Sequence, residues 1–117
     1  MPFYQIKIVI KQYKTDEFVQ SVRSFARKIR KEKGCRGYSL YRDFEKENTF
    51  SVIGEWKKHQ AMEKHFKTQN FEELIGAARV LGETFDMNIA EILGSTTTRK
   101  AGGLDFSAKG GKKTGAR

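Results

Sequence analysis

The spacing of the apolar side chains constrains this chain more than any other feature of its sequence. From residue 3 to residue 12 the side chains alternate, with Tyr or Ile at every second position from 4 to 10 and mostly polar residues between them. A period of two predicts a strand with one buried face. Over residues 16–33 the apolar spacing changes to three or four residues, which predicts an amphipathic helix that ends at Gly34.

Alternation returns in residues 36–44 and 49–56, and the polar segment EKEN between them favours a hairpin. Both faces of these two predicted strands carry some large side chains. Helices packed on one face of the sheet would leave the other face open. We therefore expect a further cover there, for which a second subunit is the natural choice.

The last third of the predicted domain contains two helices, over 57–67 and 70–81, and a final strand over 84–93. The predicted order is β-α-β-β-α-α-β. This is an α+β, ferredoxin-like arrangement with an antiparallel four-stranded sheet, in which the second crossover is divided into two helices. Pairing two such sheets face to face would bury their apolar sides and give a homodimer.

The basic charge of the chain is unevenly distributed. Residues 95–117 contain six Lys or Arg and one Asp, so they supply +5 of the formal net charge of +9. This segment is rich in Gly, Lys and Thr with a single aromatic residue, a composition that is typical of a flexible tail. We therefore predict one folded domain over 1–94 and a flexible basic tail over 95–117.

The sequence predicts a cytoplasmic protein without membrane contact. No apolar run approaches the roughly 18 residues that a membrane helix needs, and the alternating N-terminal segment lacks the pattern of a signal peptide. The lone Cys35 cannot form an internal disulfide, which fits a reducing compartment. We expect Cys35 to be a buried structural thiol.

No metal or cofactor is expected from the sequence. The two histidines, His59 and His65, are six residues apart and would point to different faces of one helix, so they cannot chelate one metal ion as a pair. A single cysteine excludes a Cys-rich zinc or iron–sulfur site. No Gly-rich phosphate-binding loop follows the first predicted strand.

The stretch from 54 to 81 carries a recognisable signature. It consists of a strand-end pair, a short helix with an alanine and a histidine, and an aromatic residue that starts the next helix: Glu55-Trp56, Ala61-Met62, His65 and Phe71-Glu72-Glu73-Leu74. With this signature, residues 3–93 resemble the antibiotic biosynthesis monooxygenase domain family. The resemblance implies a dimeric α+β barrel.

Known relatives in that family include cofactor-independent quinol and anthrone monooxygenases, haem-degrading enzymes, and domains with no known activity. The haem-degrading branch fits this chain poorly. In that branch the resemblance implies an iron-ligating histidine on the later helix and a tryptophan on the earlier one. Here the later helix has no histidine, and His65 falls where the tryptophan would be expected.

His65 is the candidate catalytic residue. Imidazole can exchange a proton near neutral pH, and removing a proton from a quinol makes the quinol a better electron donor to oxygen. We expect Trp56, Met62 and Phe66 to form the wall of a pocket and Tyr41 to contact the substrate. Each residue has a plainer alternative role. His65 could do no more than hydrogen-bond the strand end or a dimer contact, and the other side chains could simply pack in the core or at an interface.

The resemblance and these residues together predict an oxygen-dependent monooxygenase that acts on a small aromatic, quinol-like compound without metal or flavin. Tyr4 and Tyr38 are further possible donors to a quinone oxygen, but the sequence assigns them no role. The alternative is a non-enzymatic dimeric module of the same fold that binds a small molecule or serves in a stress response.

A second class of function follows from the basic residues. Arg23, Arg27 and Arg30 share one predicted helix face, and together with the tail they could contact an anionic polymer or surface through a salt-dependent attraction. The plainer interpretation is a solvated helix face. No RNA-binding aromatic motif occurs on the predicted strands, so nucleic acid is not expected as a partner beyond weak contact through the tail.

Overall fold

The computed structural model describes residues 1–98 and 104–108. The elements of the main body, in chain order, are β1 (Pro2–Ile10), α1 (Thr15–Ile29), β2 (Cys35–Arg42), β3 (Thr49–Trp56), α2 (His59–Phe66), α3 (Gln69–Leu81) and β4 (Gly82–Glu91). Two short strands follow, β5 (Gly94–Thr98) and β6 (Leu104–Ala108). No helix in the described part of the chain is both long and apolar enough to cross a membrane.

The first four strands form one sheet in the order β2-β3-β1-β4, and every neighbouring pair is antiparallel. The predicted α+β, ferredoxin-like class is therefore confirmed. β1 lies at the centre, where Tyr4 is opposite Gly54 of β3 on one side and Ile89 of β4 on the other. Because opposed residues of a sheet point to the same face, the side chains at these positions share one surface.

The core lies between this surface and the helices. Alternate residues of β1 from Tyr4 to Ile10 are at most 1% exposed. They face α1 through the buried Phe18 and Val22 and α3 through the buried Leu74. Burying one such apolar side chain contributes about 1.5–3 kcal/mol relative to leaving it in water. The buried side chains of β1, α1 and α3 therefore contribute to one hydrophobic core.

The connection after α1 has a fixed shape. The helix ends at Ile29, earlier than predicted, and turn hydrogen bonds such as Cys35 N–H to the Glu32 carbonyl at 3.1 Å carry the chain into β2. Gly34 has a φ of +88°, a left-handed conformation that favours glycine. A Cβ atom at Gly34 would lie 2.5 Å from the Cβ of Ala61, so this turn packs directly on α2.

None of the three helices in residues 1–98 and 104–108 lies on the other face of the sheet. The side chains here include Gln5, Ser39 and Ile53, which are half-buried, and Tyr41, which is 54% exposed. This is the face for which the sequence predicted a second subunit, and that homodimer remains a prediction.

Part of the predicted tail differs from the expectation. Residues 94–98 and 104–108 pair as an antiparallel hairpin, where the composition indicated a flexible segment. The run Ser-Thr-Thr-Thr at 95–98 explains the difference, because Thr is β-branched and favours extended backbone. The remaining tail residues lie outside the described part of the chain, and the division at residue 94 into domain and tail stays a prediction.

Candidate functional site

His65 lies in the core, in the last turn of α2, and its side chain has no exposed surface. Both ring nitrogens are engaged. Nε2 is 2.7 Å from the hydroxyl of Tyr4, and Nδ1 is 2.7 Å from Oε1 of Glu32. The imidazole therefore joins the central strand of the sheet to the turn that follows α1.

Glu32 is held from both sides. One carboxylate oxygen contacts His65, and the other accepts a hydrogen bond from the Asn70 amide at 3.1 Å. The Glu32 side chain is 16% exposed, so it forms the outer end of the buried group. Asn70 belongs to the first turn of α3, so the Glu32 carboxylate links the turn after α1 to both α2 and α3.

The Tyr4 hydroxyl continues the chain of hydrogen bonds to the hydroxyl of Tyr38 at 2.8 Å. Tyr4 and Tyr38 lie on neighbouring positions of the helix-covered face, because both are paired with Gly54. We call the connected side chains of Glu32, His65, Tyr4 and Tyr38 the relay. Its hydrogen bonds are all between 2.7 and 2.8 Å.

Aromatic rings surround the imidazole. The centre of the His65 ring is 4.5 Å from that of Trp56 and 5.1 Å from that of Phe71. Phe66 lies 5.0 Å from Phe71, and both are half-buried, so these two rings separate the relay from solvent. The Trp56 indole N–H is buried without a hydrogen-bond partner in the described part of the chain.

The junction of α2 and α3 fixes the position of His65. The Thr68 hydroxyl donates to the His65 carbonyl at 2.7 Å and accepts from the Phe71 N–H at 3.1 Å. Thr68 is thus the N-cap of α3, a position at which its side chain satisfies a free N–H. The Thr68 hydroxyl therefore fixes the backbone of His65 and that of Phe71 relative to each other.

Burial sets the protonation of the site. It lowers the pKa of His65 below the usual 6.5, although the Glu32 carboxylate acts in the opposite direction. Burial also raises the pKa of Tyr4 and that of Tyr38. The neighbouring Tyr38 raises the pKa of Tyr4 further, whereas the hydrogen bond with Tyr4 acts to lower the pKa of Tyr38. At neutral pH the histidine is therefore neutral and both phenols keep their protons.

A neutral His65 has one N–H, and the carboxylate of Glu32 decides which nitrogen carries it. A carboxylate accepts hydrogen bonds and donates none, so Nδ1 donates to Glu32 and Nε2 is left to accept from the Tyr4 hydroxyl. Because Tyr4 has only one hydroxyl proton, the Tyr38 hydroxyl is then the donor in the Tyr4–Tyr38 hydrogen bond. Nε2 is then a base that lies 2.7 Å from the Tyr4 oxygen, and that oxygen carries the proton that Nε2 accepts. The arrangement can accept a proton at Tyr4 and deliver it toward Glu32.

Four of the predicted site residues come together and one does not. Trp56 and Phe66 surround His65, and Met62 is buried one turn earlier on α2. Tyr41 lies on the other face of the sheet, where it borders a shallow hollow of about 120 Å³. The physical reason is the alternation of the strand, which turns position 41 away from the face that carries Tyr38.

The sequence did not identify the rest of the relay. The sequence assigns no role to Tyr4 or Tyr38, and it gives no indication that Glu32 or Asn70 belongs to the site. Tyr4 and His65 are 61 residues apart and Glu32 and His65 are 33 apart, so only the fold brings them together. A signal was present for Tyr4, as a hydroxyl at the end of an otherwise aliphatic buried row.

The described residues contain no group of three His, Cys, Asp or Glu side chains that could hold a metal ion. Cys35 is half-buried, its Sγ lies 3.7 Å from the Gly37 carbonyl oxygen, and burial raises the pKa of its thiol. A raised thiol pKa reduces the reactive thiolate, which agrees with the structural role expected for Cys35.

Comparison with known proteins gives a family match. The model of the antibiotic biosynthesis monooxygenase family matches residues 1–77. The chain is 34% identical over 68 residues to the uncharacterized protein sll1783 of Synechocystis sp., covering 58% of this chain and 46% of the relative. The match therefore spans less than half the length of that protein.

Two further matches cover most of the length of the similar protein. The chain is 31% identical over 77 residues to "Putative monooxygenase YcnE" of Bacillus subtilis, covering 66% of this chain and 81% of the relative. A crystal structure described as a "putative antibiotic biosynthesis monooxygenase", from Deinococcus radiodurans, superposes with a TM-score of 0.73 at 18% identity. That superposition covers 88% of this chain and 100% of the other, and it establishes the similarity of the folds.

Proposed function

The chain belongs to the antibiotic biosynthesis monooxygenase family, and on that premise we propose that it oxygenates a small aromatic, quinol-like compound with molecular oxygen. Neither metal nor flavin takes part in the proposed reaction. His65 is the acid–base residue, Tyr4 passes the proton to it, and Glu32 stabilises the charge that results. Trp56, Met62 and Phe66 form the surroundings of the reacting site.

The single observation that carries the proposal is the hydrogen-bonded line from Glu32 through His65 to Tyr4. A buried histidine whose Nδ1–H is held by a carboxylate has its Nε2 fixed as a base. When Nε2 takes the Tyr4 proton, the imidazolium lies 2.7 Å from a carboxylate that offsets its charge. The Tyr4 oxygen then takes the proton of a substrate hydroxyl.

The chemistry balances without a further reductant. The deprotonated quinol gives one electron to oxygen, and the resulting semiquinone and superoxide combine at a ring carbon to form a hydroperoxide. Loss of water from this carbon leaves a carbonyl, so that one quinol and one O₂ give one hydroxyquinone and one water. His65 returns its proton to the departing hydroxide, which restores the neutral imidazole.

The substrate reaches the relay where Phe66 and Phe71 lie. These two half-buried rings are the cover nearest to Tyr4, at 5.5 and 5.8 Å between ring centres. Both belong to the α2–α3 junction, so a change of their rotamers opens a path without disturbing the sheet. A flat aromatic substrate would replace the ring contacts that are lost on opening.

The proposed active form is a homodimer that pairs the uncovered faces of two sheets. The half-buried Gln5, Ser39 and Ile53 and the exposed Tyr41 would then be covered by the partner. Sedimentation at micromolar concentration tests this part of the proposal. A species with the 13.5 kDa mass of one chain would contradict it.

A second candidate function is favoured by one observation, the complete enclosure of His65. If the aromatic cover stays closed, the relay serves only to stabilise the core, and the protein is a non-enzymatic module that binds a small molecule. The two candidates differ in turnover.

Oxygen uptake tests the proposal. Wild type, His65→Gln and the matched control His59→Gln are assayed against a panel of hydroquinones and anthrones, with a chelator present. His59 is 64% exposed and pairs with Glu91 away from the relay, so it controls for the loss of a histidine. We expect uptake above the spontaneous rate in wild type and His59→Gln, and a loss of about 100-fold or more in His65→Gln.

Equal rates in wild type and His65→Gln would remove His65 from the reaction. No uptake by folded wild-type protein across the panel would favour the binding module instead. A Tyr4→Phe variant guards against misfolding of His65→Gln, because it keeps the ring contacts and deletes only the hydroxyl that accepts the substrate proton.

A further inference from the structure

A cavity of about 380 Å³ lies where the turn after α1 meets the start of α2. Four lysines from three adjoining segments line it: Lys33, Lys57, Lys58 and Lys64. Gly34 and Ala61 also line it, at the point where the turn and the helix touch. Neither the relay nor the rings that cover it border this cavity, so it is a separate feature of the molecule.

The charges of the cavity are not balanced from within. In the described part of the chain, no carboxylate lines it and none of the four lysines forms an ion pair. A concave surface lined by charges of one sign concentrates their potential and attracts ions of the opposite sign. A hollow lined by four lysines and no carboxylate of the described residues therefore favours an anion.

The start of α2 adds positive potential to the same place. Lys58 is the N-cap of α2, its side chain makes no capping hydrogen bond, and the first turn contains no acidic residue. The free N–H groups at a helix start carry a partial positive charge, which acidic or capping side chains normally offset. Here that charge adds to the charges of the lysines.

The backbone gives the cavity its shape before any ligand arrives. The Lys57 N–H donates to the Gly34 carbonyl at 2.8 Å, which ties the β3–α2 connection to the turn after α1. Gly34 and Ala61 are in such close contact that a Cβ at position 34 would lie 2.5 Å from that of Ala61. The segments that bear the lysines are therefore held together by backbone contacts.

From these observations we propose that the lysine cavity binds the phosphate group of a small phosphorylated compound. Four lining lysines and a helix start suit a group with two or more negative charges better than a single carboxylate. The volume is in the range of small-molecule sites, about 300–1,000 Å³, and leaves room for an organic part beside the phosphate. The lysine methylene groups and Ala61 supply apolar contact for that part.

Calorimetric titration with inorganic phosphate and pyrophosphate at low ionic strength tests the proposal. The cavity variant is Lys57→Gln with Lys64→Gln. The control is Lys112→Gln with Lys113→Gln, which removes the same charge from the basic segment at the end of the chain. We expect pyrophosphate to bind more tightly than phosphate. The cavity variant should weaken binding by about tenfold or more, whereas the control should change it by less than about twofold.

A second variant, Lys57→Arg with Lys64→Arg, keeps the charge and should keep the binding, and circular dichroism checks that every variant is folded. Absence of binding by wild type at millimolar pyrophosphate would overturn the proposal. So would an equal loss in the cavity and control variants, since that would indicate an attraction to the net charge of the chain. A loss confined to the control would assign the binding to the end of the chain.

Discussion

At the scale of single residues, the site depends on the difference between the two nitrogens of His65. The nitrogen toward Glu32 holds the proton and the nitrogen toward Tyr4 accepts one, and this assignment follows from the carboxylate. Burial keeps the ring neutral by lowering the pKa of His65. A base that is neutral before the reaction and paired with a carboxylate after it suits reversible proton transfer.

The lowered pKa makes stability depend on pH with a definite sign. Since the pKa of His65 is lower in the folded than in the unfolded chain, its contribution is fully present above about pH 6.5 and is lost as the pH falls toward the folded pKa. We expect the free energy of unfolding in urea to decrease between pH 7.5 and 5.5. Each unit between the two pKa values corresponds to about 1.4 kcal/mol.

The matched control for this prediction is His59→Gln, which should keep the decrease. His65→Gln should be less stable at pH 7.5 and show a shallower decrease. The opposite sign, with stability rising on acidification, would mean that the pKa of His65 is raised, and the neutral base of the proposed reaction would be lost with it.

The sequence led to part of this site for an identifiable reason. His65 stood out because a polar, titratable side chain occurs on the semi-apolar face of a short helix beside Met62 and Phe66. Glu32 did not stand out, since a glutamate in a lysine-rich segment is normally a solvated residue. Its role depends on the turn that directs it beneath α2, and local spacing carries no information about that contact.

At the scale of elements, Gly54 of β3 makes room for the relay. It lies between the two tyrosines, and a Cβ there would be 2.8 Å from the Tyr38 ring and 3.2 Å from the Tyr4 ring. Both rings are buried and cannot move into solvent. A glycine at this position of the strand therefore allows the two hydroxyls to approach within hydrogen-bond distance.

Gly54→Ala should destabilise the protein by about 1–3 kcal/mol, because the added methyl displaces rings in a packed core. It should also lower oxygen uptake by moving the Tyr4 hydroxyl away from His65. Gly37→Ala is the control, since Gly37 also lies in the sheet and a Cβ there meets nothing within 4 Å. Thermal unfolding and the uptake assay measure both effects, and equal stability of the two variants would contradict this account of the packing.

The elements themselves were largely predictable. Apolar side chains recur every two residues in the strands and every three or four residues in the helices. This change of spacing predicts the order of all seven elements of the main body, and β3 has the predicted bounds, 49–56. The sequence predicts a later end of α1 than Ile29, because Lys31, Glu32 and Lys33 are compatible with a helix and their spacing does not reveal the contact of Gly34 with Ala61. The sequence does not predict the hairpin of β5 and β6, because the Gly- and Lys-rich composition of 95–117 indicates a flexible segment despite the three threonines at 96–98.

At the scale of the whole molecule, one sheet presents two different surfaces. The covered surface holds the relay, and the lysine cavity borders the same helical layer from outside. In the proposed homodimer, a second copy of the chain covers the other surface. The proposed substrate entry through the α2–α3 junction would leave that surface free, so the proposed dimer and the proposed turnover would not compete for one face.

The central claim is that oxygen is incorporated into the substrate, and labelling with oxygen-18 gas tests it most directly. The purified protein is incubated with the quinol that gives the fastest uptake, and the product is analysed by mass spectrometry while peroxide is assayed in parallel. We expect one labelled oxygen atom per product molecule, one water formed, and no peroxide. An unlabelled quinone formed together with one equivalent of hydrogen peroxide would contradict it.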